Sequence, residues 1–301
     1  MKIAITGATG LIGTRLVKAL QARGDEVTVL SRNPDRAAAA LGVEAASWNS
    51  TGEPAPAAAL SGCDAVIHLA GEPVAQRWNA ESKREILDSR EIGTRNLVAG
   101  IAAADPRPRI LLSSSAVGYY GKHGDEVIDE QSAPGSDFLA DVCVAWEREA
   151  KVAEELGLRV VMVRTGVVLD ADGGALKTML PPFKAGVGGP VAGGKQYMPW
   201  IHADDIVGLY LAALDNEQWS GPINGTAPNP VTNTEFSKAL GRALHRPSLF
   251  PVPAFVIRAR YGEMAEIVTE GQRAVPAAAL ANGYEFAEPE LDAALVSVLS
   301  S

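Results

Sequence analysis

The sequence has few of the residues that build disulfide frameworks or metal sites. It contains 2 cysteines and 4 histidines in 301 residues. Cys63 and Cys143 cannot by themselves make a disulfide framework or a four-ligand zinc site. The histidines are widely scattered along the chain. We therefore expect no metal centre and a reducing compartment.

Basic tracts and long apolar runs are also absent. The net charge is −9, with 27 Lys and Arg against 36 Asp and Glu. A nucleic-acid-binding protein usually carries a basic patch, and so does a protein that docks on anionic membranes. No apolar run approaches the roughly 20 residues that span a bilayer, and Lys2–Thr6 is typical of a strand rather than of a leader. We expect a cytoplasmic protein that binds neither nucleic acid nor membrane, with a small-molecule substrate as its partner and a homodimer as the assembly to test.

Apolar runs alternate with helical patterns through the first two-thirds of the chain. The runs are short and nearly continuous, as in strands buried on both faces; they are Ile3–Thr6, Glu26–Leu30, Ala65–Ala70, Arg109–Ser113 and Arg159–Arg164. The helical patterns between them cover Leu11–Arg23, Ser82–Ala104 and Asp137–Leu156. Such alternation predicts right-handed crossovers, and therefore an α/β fold with a Rossmann-type, doubly wound parallel sheet.

The pattern changes after Arg164. Residues 170–200 are rich in Gly and Pro, which predicts loop and a short helix over a site. One further unit is predicted over Trp200–Leu214, and the tail has several Pro breaks. We expect a dinucleotide-binding domain of residues 1–168, to which residues 200–224 return. Residues 169–199 and 225–301 are expected to form a smaller C-terminal substrate or cap domain.

A glycine-rich turn joins the first predicted strand to the first predicted helix. Gly7, Gly10 and Gly13 are spaced three apart. The first would permit a tight turn, the second would let the backbone approach a pyrophosphate, and the third would let helix and strand pack closely. Free N–H groups at the helix start would face the phosphates. The predicted cofactor contacts of this turn are Gly7, Thr9, Gly10, Leu11, Ile12 and Gly13.

The end of the second predicted strand indicates which dinucleotide is bound. An acidic side chain there would hold a ribose 2′-hydroxyl. The strand ends instead in Ser31 and Arg32, and a guanidinium binds a 2′-phosphate in a forked geometry. We therefore predict NADP(H) rather than NAD(H), with Ser31 and Arg32 at the 2′-phosphate. The alternative is that Arg32 is a solvated surface arginine.

Several motifs resemble those of a known family. Four short ones resemble the cofactor and strand-end motifs of the extended short-chain dehydrogenase/reductase superfamily, namely Thr6–Gly13, His68–Gly71, Leu112–Val117 and Trp200–Ile206. Longer stretches are similar to an atypical subfamily of NAD-dependent epimerase/dehydratase-like proteins with a C-terminal domain of unknown function; they are His68–Val74 with Arg77-Trp78, Asp88–Arg90, Phe138–Cys143 with Trp146-Glu147, Pro251–Phe255 and Gly262–Glu266. The resemblance covers essentially the whole chain. The further cofactor contacts that it implies are Leu69, Ala70, Gly71, Glu72, Arg90 and Ser113.

The resemblance also implies a catalytic pair that this sequence lacks. In the superfamily, a Tyr acts as acid or base, and a Lys four residues later lowers its pKa and binds the nicotinamide ribose. The corresponding helix here is Asp137–Leu156. The best register places Leu139 and Cys143 at the two positions, and a shift by one places Phe138 and Val142 there. Neither register offers a proton donor or a cation.

Other residues are candidates for the chemistry. Ser115 occupies the position of the serine that polarises a carbonyl in the superfamily, although it could instead bond to backbone at the strand end. Tyr119 and Tyr120 follow in a loop expected to cross the mouth of the site, as proton carriers or as an aromatic lining. Glu72 is a third candidate acid or base, unless it is a solvated loop carboxylate.

The remaining polar candidates have simpler interpretations. Lys195 and Arg77 are candidate substrate contacts, although surface ion pairs are the commoner fate of such residues. Cys143 is expected to be a buried small hydrophobe rather than a nucleophile. His202, Asp204 and Asp205 suggest a helix start rather than a metal site, with one of the aspartates accepting backbone N–H groups.

Two functions remain open from the sequence. The first is an NADP(H)-dependent oxidoreductase or epimerase acting on a small carbonyl or sugar-like substrate. The second is a redox-inactive NADP(H) sensor or scaffold. The retained Ser115 and the full-length cap favour the first, and the missing Tyr/Lys pair favours the second. The sequence names no substrate.

Overall fold

The structure, a computed structural model, describes residues 1–300. In chain order the strands are β1 (Lys2–Thr6), β2 (Glu26–Ser31), β3 (Glu44–Ser47), β4 (Ala65–His68), β5 (Ile110–Ala116), β6 (Val127–Ile128), β7 (Arg159–Thr165), β8 (Val167–Leu169), β9 (Tyr197–Met198), β10 (Trp200–His202), β11 (Gly221–Gly225), β12 (Val231–Thr232) and β13 (Arg273–Ala274).

The helices, also in chain order, are α1 (Leu11–Ala22), α2 (Pro34–Leu41), α3 (Ala57–Leu60), α4 (Ala80–Ala103), α5 (Phe138–Glu155), α6 (Gly174–Lys184), α7 (Ala203–Asp215), α8 (Asn233–Ala243), α9 (Ala254–Tyr261), α10 (Glu266–Thr269), α11 (Ala277–Ala281) and α12 (Leu291–Ser300). Two short 3-10 turns occupy Val117–Tyr120 and Gly262–Ala265. Within residues 1–300, no helix is both long and apolar enough to cross a membrane.

A seven-stranded parallel sheet forms the centre of the molecule. Its strand order is β11-β7-β5-β4-β1-β2-β3, and every neighbouring pair is parallel. The chain winds outward from β1 in both directions, so the order reverses between β1 and β4. This confirms the predicted Rossmann-type, doubly wound sheet. In such sheets ligands bind in the crevice at the carboxyl ends of the strands, next to this reversal.

Both faces of the sheet are covered by helices. Successive side chains along each strand point alternately into one of two apolar clusters, one on each face. Ile3, Ile5 and Ile67 pack into a cluster with residues of α1 and α7. Ala4, Val66 and Leu111 point the other way, into a cluster with residues of α4 and α5. Each fully buried Leu or Ile contributes about 1.5–3 kcal/mol. Near-continuous apolar strands are therefore required by the fold.

Two strands of the sheet were not among those predicted. The edge strand β3 reads Glu-Ala-Ala-Ser, and β11, at the opposite edge, reads Gly-Pro-Ile-Asn-Gly. β3 has no β-branched or aromatic residue of the kind that marks a strand, and β11 has only Ile223, between Pro222 and Asn224. Both are added by pairing with an existing neighbour, β3 with β2 and β11 with β7. Their strand conformation thus depends on tertiary pairing rather than on local propensity.

A third apolar cluster lies outside the sheet. Its buried members come from residues 169–200 and 227–298: Leu169, Leu176, Leu180, Phe183, Trp200, Ala227, Phe236, Ala239, Leu240, Leu291, Ala294, Leu295 and Val298. The short helix expected within residues 170–200 is α6. Most of these residues belong to the segments assigned to the cap domain, whose bounds stay a prediction.

Candidate functional site

The glycine turn lies at the carboxyl end of β1, and its three glycines have different surroundings. Gly7 has φ +68°, and a Cβ there would lie 2.6 Å from the carbonyl carbon of Leu69. A Cβ at Gly13 would lie 2.5 Å from the carbonyl oxygen of Gly7. Gly10 is exposed, and the nearest atom to a Cβ there is that same Gly7 oxygen, at 3.3 Å. Gly7 and Gly13 are therefore required by packing, whereas Gly10 leaves its face open to a ligand.

Helix α1 begins directly behind Gly10 without a side-chain cap. The first N–H groups of a helix have no partner within the helix, and together with the helix dipole they form an anion site. Thr9 is exposed beside this helix start, and Leu11 and Ile12 are half-buried. The turn thus has the form that a pyrophosphate requires.

A buried polar network holds the loop after β4 against the glycine turn. The hydroxyl of Thr6 accepts hydrogen bonds from the N–H groups of Leu69 and Ala70, both at 3.2 Å. It therefore donates its proton to Nδ1 of His68 at 2.7 Å, which leaves the Nε2 proton to bond the hydroxyl of Thr94 at 3.1 Å. Burial lowers the pKa of His68 to about 3, so the ring is neutral.

The spacing of these residues in the sequence does not predict this network. Thr6 and His68 end neighbouring strands in register, but the register follows from the sheet order rather than from the spacing in the sequence.

The end of β2 presents Ser31 and Arg32. The hydroxyl of Ser31 accepts a hydrogen bond from the N–H of Asn33 at 3.1 Å. Arg32 is exposed, and within residues 1–300 it has no acidic partner. A free guanidinium at this strand end fits the predicted 2′-phosphate contact, and it also fits the solvated alternative.

Ser115, at the end of β5, is committed to a buried ion pair. Its Oγ donates to Oε1 of Glu147 at 2.7 Å. Arg164 donates from Nε to the same oxygen at 2.7 Å and from Nη2 to Oε2 at 2.8 Å. All three residues are at most 3% exposed. Because a serine has one proton to donate, Ser115 in this arrangement can only accept a hydrogen bond from a ligand.

Tyr120 is drawn into the same network. It is fully buried, and its hydroxyl donates to Oδ1 of Asn224 at 2.7 Å and accepts from Nη1 of Arg164 at 3.0 Å. Burial raises the pKa of Tyr120 to about 12. The loop was expected to bring this hydroxyl to the mouth of the site, and the structure instead places it inside the protein.

Tyr119 is half-buried, and its ring centroid lies 3.5 Å from Cζ of Arg164. Its ring packs on the guanidinium of Arg164. This corresponds to the alternative in which the tyrosine packs as an aromatic side chain, with a cation of the protein itself as its partner. A catalytic role for either tyrosine stays a prediction.

The helix face that would carry the Tyr/Lys pair is apolar. Leu139 and Cys143 face the 3-10 turn after β5, because a Cβ at Gly118 would lie 3.4 Å from Cβ of Leu139 and 4.0 Å from Sγ of Cys143. Burial raises the pKa of the Cys143 thiol to about 12. Phe138 and Val142 belong to a cluster with Trp78 and Met264, against which Leu139 also packs, and neither has a contact with Gly118 of the kind that Leu139 and Cys143 have. The first of the two registers is therefore the one that faces the end of β5, and Cys143 is buried as expected.

The loop after β4 is bonded to helix α4. The N–H of Glu72 donates to Oγ of Ser89 at 2.9 Å, and its carbonyl accepts from Nη1 of Arg90 at 2.9 Å. Leu69, Ala70 and the side chain of Glu72 are half-buried, and Gly71 is exposed. Ser113 lies inside β5 at 1% exposure, where its Oγ donates to the carbonyl of Ser114. A cofactor contact at Ser113 stays a prediction.

The remaining candidates lie elsewhere. Lys195 and Arg77 are exposed. Arg77 lies beside Gly262, with its Cγ and Nε 3.8 Å from a Cβ built there. The residue after Lys195, Gln196, donates from Nε2 to the carbonyl of Val268. Both candidates therefore neighbour the segment 262–268, and their substrate contacts stay predictions.

The helix start predicted at His202–Asp205 is confirmed, since α7 begins at Ala203, but the residue that caps it is not an aspartate. The cap is His202, whose Nδ1 accepts from the N–H of Asp204 at 3.1 Å. Asp205 does accept backbone N–H groups, but these belong to Ala287 and Glu288, at 2.7 and 3.0 Å. His202 is the last residue of the preceding strand β10, so its ring lies next to the first backbone N–H groups of the helix. Across residues 1–300, no group of three His, Cys, Asp or Glu side chains is placed to hold a metal ion.

A doubly wound sheet with a glycine turn at its reversal defines a Rossmann-type dinucleotide-binding fold. The chain belongs to the NAD dependent epimerase/dehydratase family, which it matches over residues 3–224. Residues 252–298 match a domain of unknown function, DUF1731. The family predicted from the motifs is thus confirmed for both parts of the chain.

The chain is similar to several named proteins over nearly its full length. The chain is 43% identical to the chloroplastic SDR39U1 homolog of Arabidopsis thaliana, over 95% of this chain and 83% of that protein. It is 40% identical to epimerase family protein SDR39U1 of Bos taurus, over 100% of both. The structure of human SDR39U1 (isoform2) with NADPH has a TM-score of 0.91, at 36% identity over 100% of both chains. Since one relative is chloroplastic, the cytoplasmic location of this chain stays a prediction.

Proposed function

We propose that this chain binds NADP(H) and does not use the Ser/Tyr/Lys proton transfer of its superfamily. The observation that supports NADP(H) binding is the difference between the three glycines of the turn. Gly7 and Gly13 are closely packed against the main chain, and of the three only Gly10 faces the opening. Arg32 supports NADP(H) as the dinucleotide, and so does the NADPH in the human SDR39U1 structure.

The positions of these contacts orient the dinucleotide. The anion site at α1 lies at the end of β1, and Arg32 follows the neighbouring strand β2. With the pyrophosphate at α1 and the 2′-phosphate at Arg32, the adenosine half lies over β2. The nicotinamide half then lies on the other side of β1, over the ends of β4 and β5. The residues that would meet it are those of loop 69–72, the turn after β5 and the facing side of α5.

The second half of the proposal rests on those residues. A bound NADPH supplies a hydride, and reduction of a carbonyl also needs a proton. Ser115 donates its proton to Glu147, and the Tyr120 hydroxyl is buried with its pKa raised to about 12. Leu139 and Cys143 provide neither an acid nor a cation. The function best supported is therefore a redox-inactive NADP(H) sensor or scaffold.

A second candidate is a slow oxidoreductase or epimerase acting on a small carbonyl or sugar-like substrate. It is favoured by the partial exposure of Tyr119 and Glu72, which follow β5 and β4. In that case Ser115 would accept rather than donate a hydrogen bond, and the proton would pass through one of these two side chains. Residues 169–199 and 225–301 would form the cap over this substrate.

The test is to purify the protein, identify any co-purifying nucleotide, and titrate NADPH and NADH by calorimetry. We expect NADPH to bind about 10- to 100-fold more tightly, as one phosphate-specific ion pair provides. Equal affinity for the two nucleotides would contradict the proposed specificity. Saturable turnover of the nicotinamide with any member of a carbonyl panel would instead support the second candidate.

A further inference from the structure

Helix α9 and the loop before it form a surface that the rest of the protein does not cover. None of the 8 residues of α9 is buried. Phe255 and Val256 at its start are 72% and 43% exposed, and Leu249 and Phe250 in the preceding loop are 76% and 54% exposed. Single exposed apolar side chains are common on proteins, whereas a group of large ones close together marks an interaction site. We call residues 249–260 the α9 surface.

The same part of the chain is basic. Residues 236–262 contain five Lys and Arg but no Asp or Glu, although the whole chain has a net charge of −9. The five cations are Lys238, Arg242, Arg246, Arg258 and Arg260. Arg242 forms an ion pair with Asp292, and within residues 1–300 the other four cations have no ion-pair partner. Their charges are therefore free to meet those of a second molecule.

A recess of about 580 Å³ adjoins the α9 surface at the end of helix α8. Its lining extends to Ser248, the residue before Leu249. The described residues that line it include no Asp or Glu, and its basic members are Lys238, Arg242, His245 and Arg246. A carboxylate that entered this recess would meet guanidinium groups, which bind carboxylates in a forked geometry.

The composition of this surface favours a polypeptide as its occupant. Protein interfaces are rich in aromatic residues and Arg, and poor in Lys, Asp and Glu. Residues 242–260 contain two Phe and four Arg but no Lys, Asp or Glu. The charge also indicates that the polypeptide is acidic.

Two other occupants fit this surface less well. A second copy of the chain, related by two-fold symmetry, would bring the same patch against itself, so that the unpaired cations of one copy would repel those of the other. A flat bilayer would leave the recess beside the α9 surface unfilled.

We propose that the α9 surface and the adjoining recess dock an acidic polypeptide segment. Apolar side chains of that segment cover Phe250 and Phe255, while its carboxylates pair with Arg246, Arg258 and Arg260. The proposal goes beyond NADP(H) binding and does not depend on it. It assigns a protein-binding role to the beginning of the domain of unknown function, which matches residues 252–298.

The test uses a phage-displayed library of random linear peptides, selected on the whole chain. Enriched peptides are then titrated by fluorescence anisotropy. We expect them to combine Asp or Glu with large apolar residues, and to bind less tightly as the salt concentration rises. Phe255→Ser should lower their affinity by about 10-fold or more, because it removes a large apolar contact. A double variant, Arg258→Glu with Arg260→Glu, should also lower it by about 10-fold or more, because it places like charges opposite each other.

Leu280→Ser and Arg84→Glu are the matched controls. Leu280 is 49% exposed on α11, and Arg84 is exposed on α4 without an ion pair inside residues 1–300. Neither substitution should change the affinity for the peptides. Because no residue of α9 is buried, Phe255→Ser and the double variant should keep the thermal unfolding of wild type.

Four results would each overturn the proposal. The first is that no peptide is enriched, or only peptides without acidic residues. The second is an unchanged affinity in both Phe255→Ser and the double variant. The third is co-sedimentation of wild type with phosphatidylglycerol vesicles that Phe255→Ser abolishes, which would make a bilayer the occupant. The fourth is a concentration-dependent dimer in sedimentation equilibrium that Phe255→Ser abolishes, which would make a second copy the occupant.

Discussion

The proposed adenosine side and the proposed nicotinamide side of the crevice are built differently. At the ends of β1 and β2, Gly10 and Arg32 are exposed and the start of α1 is uncapped. At the end of β5, Ser115 and Tyr120 are bonded into a buried network with Glu147 and Arg164. One side is open to a ligand, whereas the polar groups of the other hold the protein together. Under the proposed function, this chain retains the fold and the features of a cofactor site while Ser115 is bonded into the protein interior.

The largest expected effect comes from breaking the buried network. Arg164→Met leaves the Glu147 carboxylate buried without its partner, which costs about 3–5 kcal/mol of unfolding free energy. Urea denaturation measures the change. The control is Arg148→Met, which removes an exposed arginine from Glu91 and Glu149 and should cost at most about 1 kcal/mol. Equal losses in the two variants would mean that the nicotinamide side is not held by this network.

Substitutions on the proposed adenosine side should instead change the affinity for NADPH rather than the stability of the fold. Gly10→Val adds a branched side chain where a Cβ meets only the Gly7 oxygen, so we expect a folded protein whose NADPH affinity falls by on the order of 100-fold or more, at least ~2.7 kcal/mol. Calorimetry measures the NADPH affinity, and circular dichroism shows whether the variant is folded. Gly13→Val is the contrasting variant, because its Cβ would overlap the turn and reduce stability. Unchanged nucleotide affinity in folded Gly10→Val would place the phosphates elsewhere.

Arg32→Ala should separate the two cofactors. We expect it to weaken NADPH by about 10- to 100-fold while leaving NADH nearly unchanged, because only NADPH carries the 2′-phosphate. Arg36→Ala removes another exposed arginine nearby and serves as the control. A similar loss for both nucleotides would show that Arg32 does not recognise the phosphate.

The smallest effect is a pH dependence at the junction of the two sides. The folded pKa of His68 is about 3, against 6.5 ordinarily. Between these values the unfolded chain binds a proton that the folded protein does not. His68 therefore stabilises fully above pH 6.5, and this contribution falls by about 1.4 kcal/mol per pH unit as the pH drops toward 3.

Urea denaturation of wild type and His68→Asn between pH 7 and pH 5 tests this contribution. The wild-type stability should fall more steeply, by about 1.4 kcal/mol per pH unit below 6.5. His245→Asn changes an exposed histidine and should keep the wild-type slope. Parallel curves for wild type and His68→Asn would mean that His68 titrates normally in the folded protein.

Local features of the sequence predicted the strand, the glycine turn and the helix of the proposed adenosine side, whereas the cofactor contacts there stay predictions. The three glycines, the strand before them and the helix after them are contiguous, so their geometry follows from short-range constraints. The nicotinamide side depends on distant partners: Tyr120 is held by Asn224, 104 residues away, and by Arg164 on another strand. The spacing of Tyr119 and Tyr120 after Ser115 indicated a loop at the mouth, but it carried no information on which side chain would turn inward. The cap at His202 was missed because a ring nitrogen seldom replaces a carboxylate there.

The most direct measurement follows bound NADPH in the presence of a carbonyl panel, with wild type and Tyr119→Phe over a range of pH. We expect wild type to bind NADPH tightly and to consume it no faster than a protein-free control at any pH. Saturable consumption by wild type that is lost in Tyr119→Phe would contradict it, because the nicotinamide side would then contain a working proton donor.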